Sequence, residues 1–171
     1  GNVLAIIASE ALSMTYSGST VESGNYTAGG DFKPAEPAFI NPPQAPAVSV
    51  PWLAGDEVGS SAYKSQNQSL KFALRNENHL VELKLGIQDI PYQGWPNQRM
   101  DMTANDSTQV NLRYKGQYDW GSLEARAYNE HTRHKMDFLG DKEYWYYNST
   151  RTPPLASGMP MDTEGRNTGA V

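Results

Sequence analysis

The sequence of 171 residues contains no cysteine, which excludes disulfide bonds, thiolate metal sites and thiol nucleophiles. It has no run of about eighteen apolar residues, so no transmembrane helix is expected. Positive charge is scarce, because 14 Lys and Arg against 19 Asp and Glu leave a net charge of -5. A sequence-independent nucleic-acid binder needs the opposite excess. Any soft metal ion would have to be bound by methionine and histidine.

Recognisable catalytic motifs are missing as well. No glycine-rich phosphate loop follows a predicted strand, and no nucleophile elbow is present. Carboxylates are numerous, but no spacing fixes the separation that a catalytic pair requires. The sequence therefore does not predict an enzyme.

What the sequence does contain is an alternation of polar and apolar residues with period two. In the segment 107–115 the even-numbered residues are mostly apolar or aromatic, and the odd-numbered residues are polar or charged. This pattern is typical of a β-strand with two chemically different faces. Strands are predicted at residues 3–8, 12–23, 62–75, 81–88, 107–115 and 122–136, with another beginning near 168.

The connections between these strands alternate between short and long. Short turns fall near residues 10, 77 and 118, and long loops span about 24–61, 91–106 and 137–166. In an up-and-down meander, successive connections lie at opposite ends of the sheet. We therefore predict an all-β fold, an antiparallel up-and-down meander of six or seven strands. It would be part of a transmembrane β-barrel with short periplasmic turns and long extracellular loops.

Several stretches resemble the barrel domain of TonB-dependent outer-membrane receptors, in residues 70–103, 107–128, 134–138 and 158–169. The resemblance extends from about residue 12 onward. It implies a receptor of the bacterial cell outer membrane that imports a scarce ligand, copper or a ferric siderophore. The implied partners are outer-membrane lipid, a metal ion or metal chelate, and TonB, which acts through an N-terminal plug. We expect the chain to be a partial barrel with its plug domain absent.

His134 and Met136 are the candidate metal ligands. They are two residues apart near the outward end of a predicted strand, so they share a face with Glu124 and Arg126. An imidazole and a thioether on one face favour Cu(I). The His-x-Met-Asp phrase is also similar to one in TonB-dependent copper receptors, in which a barrel histidine and methionine join plug residues. Copper would then be a transported ligand, with no intrinsic cofactor. Alternatively, His134 is a polar lumen residue and Met136 packs against the plug.

Further candidate ligand-binding residues lie in the predicted long loops. The methionines would suit copper capture or a plastic surface for an iron chelate, and the aromatic residues could stack on a planar ligand. Alternatively, both groups pack among the loops or form an interfacial aromatic girdle. These candidates are Met100, Met102, Met159, Met161, Trp95, Tyr144 and Trp145.

Two other classes of protein remain open. One is a passive porin-type channel barrel, which would need neither a plug nor TonB. The other is a soluble β-sandwich binding module, in which the apolar face packs inward instead of against lipid.

Overall fold

The computed structural model describes residues 1–32, 55–98, 100–137 and 160–171 of the chain. Within these ranges the chain forms seven β-strands. The part of the chain described contains no helix that is both long and apolar enough to cross a membrane. The strands are β1 (Asn2–Ala8), β2 (Leu12–Ser23), β3 (Tyr63–Arg75), β4 (His79–Gln93), β5 (Asp101–Tyr118), β6 (Gly121–Asp137) and β7 (Met161–Ala170).

The seven strands form one sheet in the order of the chain, and every neighbouring pair is antiparallel. This confirms the predicted all-β meander. The sheet is open, since within the described residues β1 and β7 each pair with a strand on one side only.

The connections alternate in length as predicted. Two or three residues join β1 to β2, β3 to β4 and β5 to β6, so these turns all lie at one end of the sheet. Gly121 ends the last of these turns with a φ of 140°, a backbone conformation that residues other than glycine rarely adopt. The strand ends from which the longer connections start lie at the opposite end of the sheet, which we call the mouth end.

Three strand boundaries at the mouth end differ from the prediction. The predicted loop 91–106 is wrong at both ends, because β4 continues to Gln93 and β5 already begins at Asp101. The predicted loop 137–166 is wrong at its end, because β7 begins at Met161. Backbone pairing continues here through a region where both faces carry polar residues, so no alternation marks it in the sequence.

The two faces of the sheet differ as the alternation predicts. We call the apolar face the outward face and the polar face the inner face. The outward face is open to solvent, with Leu74 55% exposed and Leu112 46% exposed. Two successive rows across strands β2 to β5 hold Leu12, Leu74, Val81 and Tyr114, and then Met14, Phe72, Leu83 and Leu112.

Candidate metal-binding site

Three methionines lie in one row across neighbouring strands at the mouth end. Met136 on β6 is the direct partner of Met102 on β5 and of Met161 on β7. Directly paired residues of antiparallel strands project from the same face, with Cβ atoms about 4.5–5.5 Å apart. The row therefore places three methionine side chains on the inner face, and we call it the methionine row. Met102 is buried at 5% exposure, whereas Met161 is 43% exposed.

His134 belongs to the next row of the same face. It is paired with Asn105 on β5 and with Thr163 on β7. Because Met136 follows two positions later on the same strand, its thioether and the imidazole project from the same side. The structure thus places His134 on the same face as Met136, Met102 and Met161, in the neighbouring row.

A hydrogen-bond relay of side chains fixes the orientation of the His134 ring. Nδ1 of His134 lies 3.0 Å from Oδ1 of Asn105. The Asn105 amide donates to Gln88 Oε1 at 3.2 Å, Gln88 donates to Asn67 Oδ1 at 2.8 Å, and Asn67 donates to Ser65 Oγ at 3.1 Å. We call this chain the amide relay.

The direction of the hydrogen bonds in the amide relay determines which nitrogen of the His134 imidazole carries the proton. Since the amide nitrogen of Asn105 donates to Gln88, its oxygen faces His134, and an amide oxygen can only accept. Nδ1 of His134 must therefore carry a proton. In the neutral ring this leaves the lone pair on Nε2, which is the form that binds a metal ion.

Ion pairs mark the inner face nearer the short turns. Arg113 bridges Glu82 at 3.2 Å and Glu124 at 2.9 Å, and Arg126 contacts Glu124 at 2.7 Å. Lys71 completes the series by contacting Glu82. The pairing of β6 with β5 is regular from Gly121 to Lys135, so Glu124 and Arg126 lie on the same face as His134, as predicted.

Charged side chains replace apolar ones on the outward face towards the mouth end. Glu164 accepts hydrogen bonds from His131 at 2.8 Å and from Arg166 at 2.9 Å, and these two contacts lower the pKa of its carboxyl group. Near the ends of β2 and β3, the hydrogen bond from Lys64 at 2.9 Å lowers the pKa of Glu22. The apolar part of the outward face therefore ends below the level of the methionine row.

The other predicted site residues are less closely grouped. Trp95 and Met100 lie half-buried in the connection between β4 and β5. Met102 and Met161 were predicted in loops, but both lie in strands. Met159, Tyr144 and Trp145 lie outside the described residues. The assignment of any of these residues to ligand binding stays a prediction.

Two features of the site were missed by the reasoning from sequence. Asn105 was placed in a loop and given no role, yet it contacts the candidate ligand His134. A β-bulge between Met102 and Ala104 shifts the register of β5 against β6. Among the described residues, no group of three or more His, Asp or Glu side chains is placed to hold a metal ion. A metal site here would therefore depend on thioether sulfur together with one imidazole.

The fold and the site define an open antiparallel meander with a sulfur-rich row at its mouth end. Among solved structures, the chain is similar to the copper transporter OprC, with a TM-score of 0.67 and 20% sequence identity. The match covers 99% of this chain and 22% of that chain, so this chain spans about a fifth of the transporter's length. At this identity the similarity shows a shared fold. No protein-family model and no curated protein matches the sequence.

Proposed function

We propose that this chain is part of the barrel of a TonB-dependent outer-membrane receptor that takes up a soft metal ion, with Cu(I) as the first candidate. The observation that carries the proposal is the methionine row, which stands next to His134 on one face of the sheet. Thioether and imidazole ligands together select Cu(I) over hard cations. The similarity to a copper transporter supports the same assignment.

The distribution of side chains supports a location in the outer membrane. The outward face would contact lipid where its rows are apolar, and the charged residues beyond them would lie above the hydrocarbon core. The inner face, with its ion pairs, would line the barrel interior. In this orientation the short turns are periplasmic and the methionine row is at the extracellular end.

In this proposal the chain's own residues capture the ion rather than transform it. Met102, Met136 and Met161 would offer neutral sulfur ligands, and His134 would offer Nε2 while the amide relay holds its ring. Neutral ligands do not hold a cation by an opposite charge, as carboxylate or thiolate ligands would. Release of the ion inward therefore remains feasible. The energy for release would come from TonB through the plug.

Substitution of Met136 in the complete receptor tests the proposal. We expect Met136→Leu, which conserves volume but removes the sulfur, to reduce the copper content of the purified receptor. Met14→Leu is the matched control, because Met14 belongs to the outward face. Elemental analysis after exposure to Cu(I) gives the metal-to-protein ratio. An unchanged ratio in Met136→Leu would remove Met136 from the ligands and leave a metal chelate as the transported species.

A further inference from the structure

A buried carboxylate stands at the first position of β5, next to Met102. Asp101 has no exposed surface, and each of its oxygens is hydrogen-bonded. Oδ2 accepts from the hydroxyl of Ser60 at 2.8 Å, and Oδ1 accepts from the backbone N–H of Trp95 at 2.9 Å. Asp101 thus joins the segment before β3 to the connection between β4 and β5. We call this three-residue contact the latch.

The backbone around the latch is tightly constrained. Ser60 has a φ of 57°, which is uncommon for a residue other than glycine. Gly94 packs directly on it, since a Cβ at Gly94 would lie 2.3 Å from the Ser60 carbonyl carbon. The N–H of Gly94 also donates to the carbonyl oxygen of Ala62 at 2.8 Å. The latch is therefore held on both sides by backbone that has little room to shift.

The β-bulge next to the latch, between Met102 and Ala104, determines which side chain of β5 lies opposite Met136. His134 is paired with Asn105 and Lys135 with Ala104, but Met136 is paired with Met102 because the bulge skips Thr103. In a regular register Met136 would oppose Thr103, and Met102 would project from the other face. The bulge therefore substitutes a thioether for a hydroxyl in the row.

We propose that Asp101 is a positioning residue, which holds the start of β5 in the bulged register and so places Met102 in the methionine row. This inference rests on the proposed function, because the row matters only if it binds a metal ion. In this proposal Asp101 acts through Met102 and is not itself a ligand. The hydrogen bonds from Ser60 and Trp95 fix the strand one residue before Met102, where a slip of a single residue would turn the sulfur away.

A double-mutant cycle in the complete receptor tests the positioning role, with Ag+ as a thiophilic probe. We expect Asp101→Ala and Met102→Leu each to weaken Ag+ affinity about ten-fold, and the double variant to be no weaker than either single variant. Losses that multiply in the double variant would overturn the proposal. Asp101→Asn can keep both contacts, so its affinity should stay within about two-fold of the parent. Ser107→Ala is the matched control, because Ser107 is buried on the same strand and bonded to Thr132 instead.

Two further measurements test the positioning role with a milder substitution and without a metal ion. Ser60→Gly removes the hydroxyl while tolerating the positive φ, and it should weaken Ag+ affinity in the same direction as Asp101→Ala. Cysteines at positions 102 and 136 should form a disulfide under mild oxidation, more slowly when Asp101→Ala is added. An equal rate would overturn the positioning role. If the parent receptor binds no Ag+, the proposed function fails, and the disulfide rates still decide whether Asp101 positions residue 102.

Discussion

Asn105 determines which nitrogen of the His134 ring carries the proton. Its Oδ1, 3.0 Å from Nδ1, can only accept a hydrogen bond, so it keeps the proton on Nδ1 and leaves the lone pair of the neutral ring on Nε2. We expect Asn105→Ala to weaken Ag+ binding by the complete receptor about 10- to 100-fold, the usual effect of removing the outer partner of a metal-binding histidine. Competition with a chromophoric chelator measures the affinity.

Asn129 provides the control for this substitution. It lies on the same strand as His134, and its amide donates to Thr168 Oγ1 at 2.6 Å on the outward face. Asn129→Ala should therefore leave Ag+ affinity unchanged. Asn105→Asp should retain binding, because a carboxylate accepts the same Nδ1–H bond. Parental affinity in Asn105→Ala would show that His134 does not bind the ion through this tautomer.

Whether a contact of His134 can be predicted from the sequence depends on how far away its partner lies in the chain. His134 and Met136 could be paired from sequence alone, because a spacing of two on a strand places both on one face. Asn105 lies 29 residues from His134, and its contact depends on the register between two strands. Register was not predicted, so neither the amide relay nor the methionine row could be.

Alternation predicted β2, β3 and β6 to within one residue, but it missed the mouth ends of β4, β5 and β7. The prediction worked where one face is apolar and the other polar, as in β4 between Val81 and Ile87. It failed at the mouth ends of β4 and β5, beyond the pair Asp89 and Asp106, which are both polar although they lie on the outward face. With both faces polar the period of two disappears, although the backbone still pairs. The bulge after Met102 has no sequence signal of this kind.

The backbone conformation of Gly121, in the turn between β5 and β6, predicts how a substitution there affects stability. Gly121 has a φ of 140°, and nothing lies within 4 Å of a Cβ placed on it, so only backbone strain opposes a side chain there. We expect Gly121→Ala to destabilise the folded receptor by about 1–3 kcal/mol. Urea unfolding of the receptor in detergent, followed by tryptophan fluorescence, measures the loss.

Gly165 on β7 is the matched control for the turn. A Cβ added at Gly165 would also have nothing within 4 Å, and the φ of this residue is outside the positive range. Gly165→Ala should therefore be tolerated, with a midpoint close to that of the parent. Equal losses in the two variants would show that the strain at Gly121 is not the cause.

At the scale of the whole molecule, the sheet leaves its apolar side chains uncovered. On β1, Val3 and Ile7 lie on one face and Leu4 and Ile6 on the other, and all four are at least 60% exposed. A strand that is apolar on both faces is normally buried on both. Because β1 is also an edge of the described sheet, it presents unpaired backbone groups together with this apolar surface.

The exposed surface predicts how the isolated chain of 171 residues behaves in water. We expect it to aggregate in aqueous buffer and to become dispersed when detergent covers the outward face, since open edges and large apolar patches promote association. Size-exclusion chromatography with light scattering, run with and without detergent, measures the change. A monodisperse monomer in plain buffer that unfolds cooperatively in urea would contradict the membrane assignment. It would favour a β-sandwich, because the apolar rows would then have to be packed inside the protein rather than against lipid.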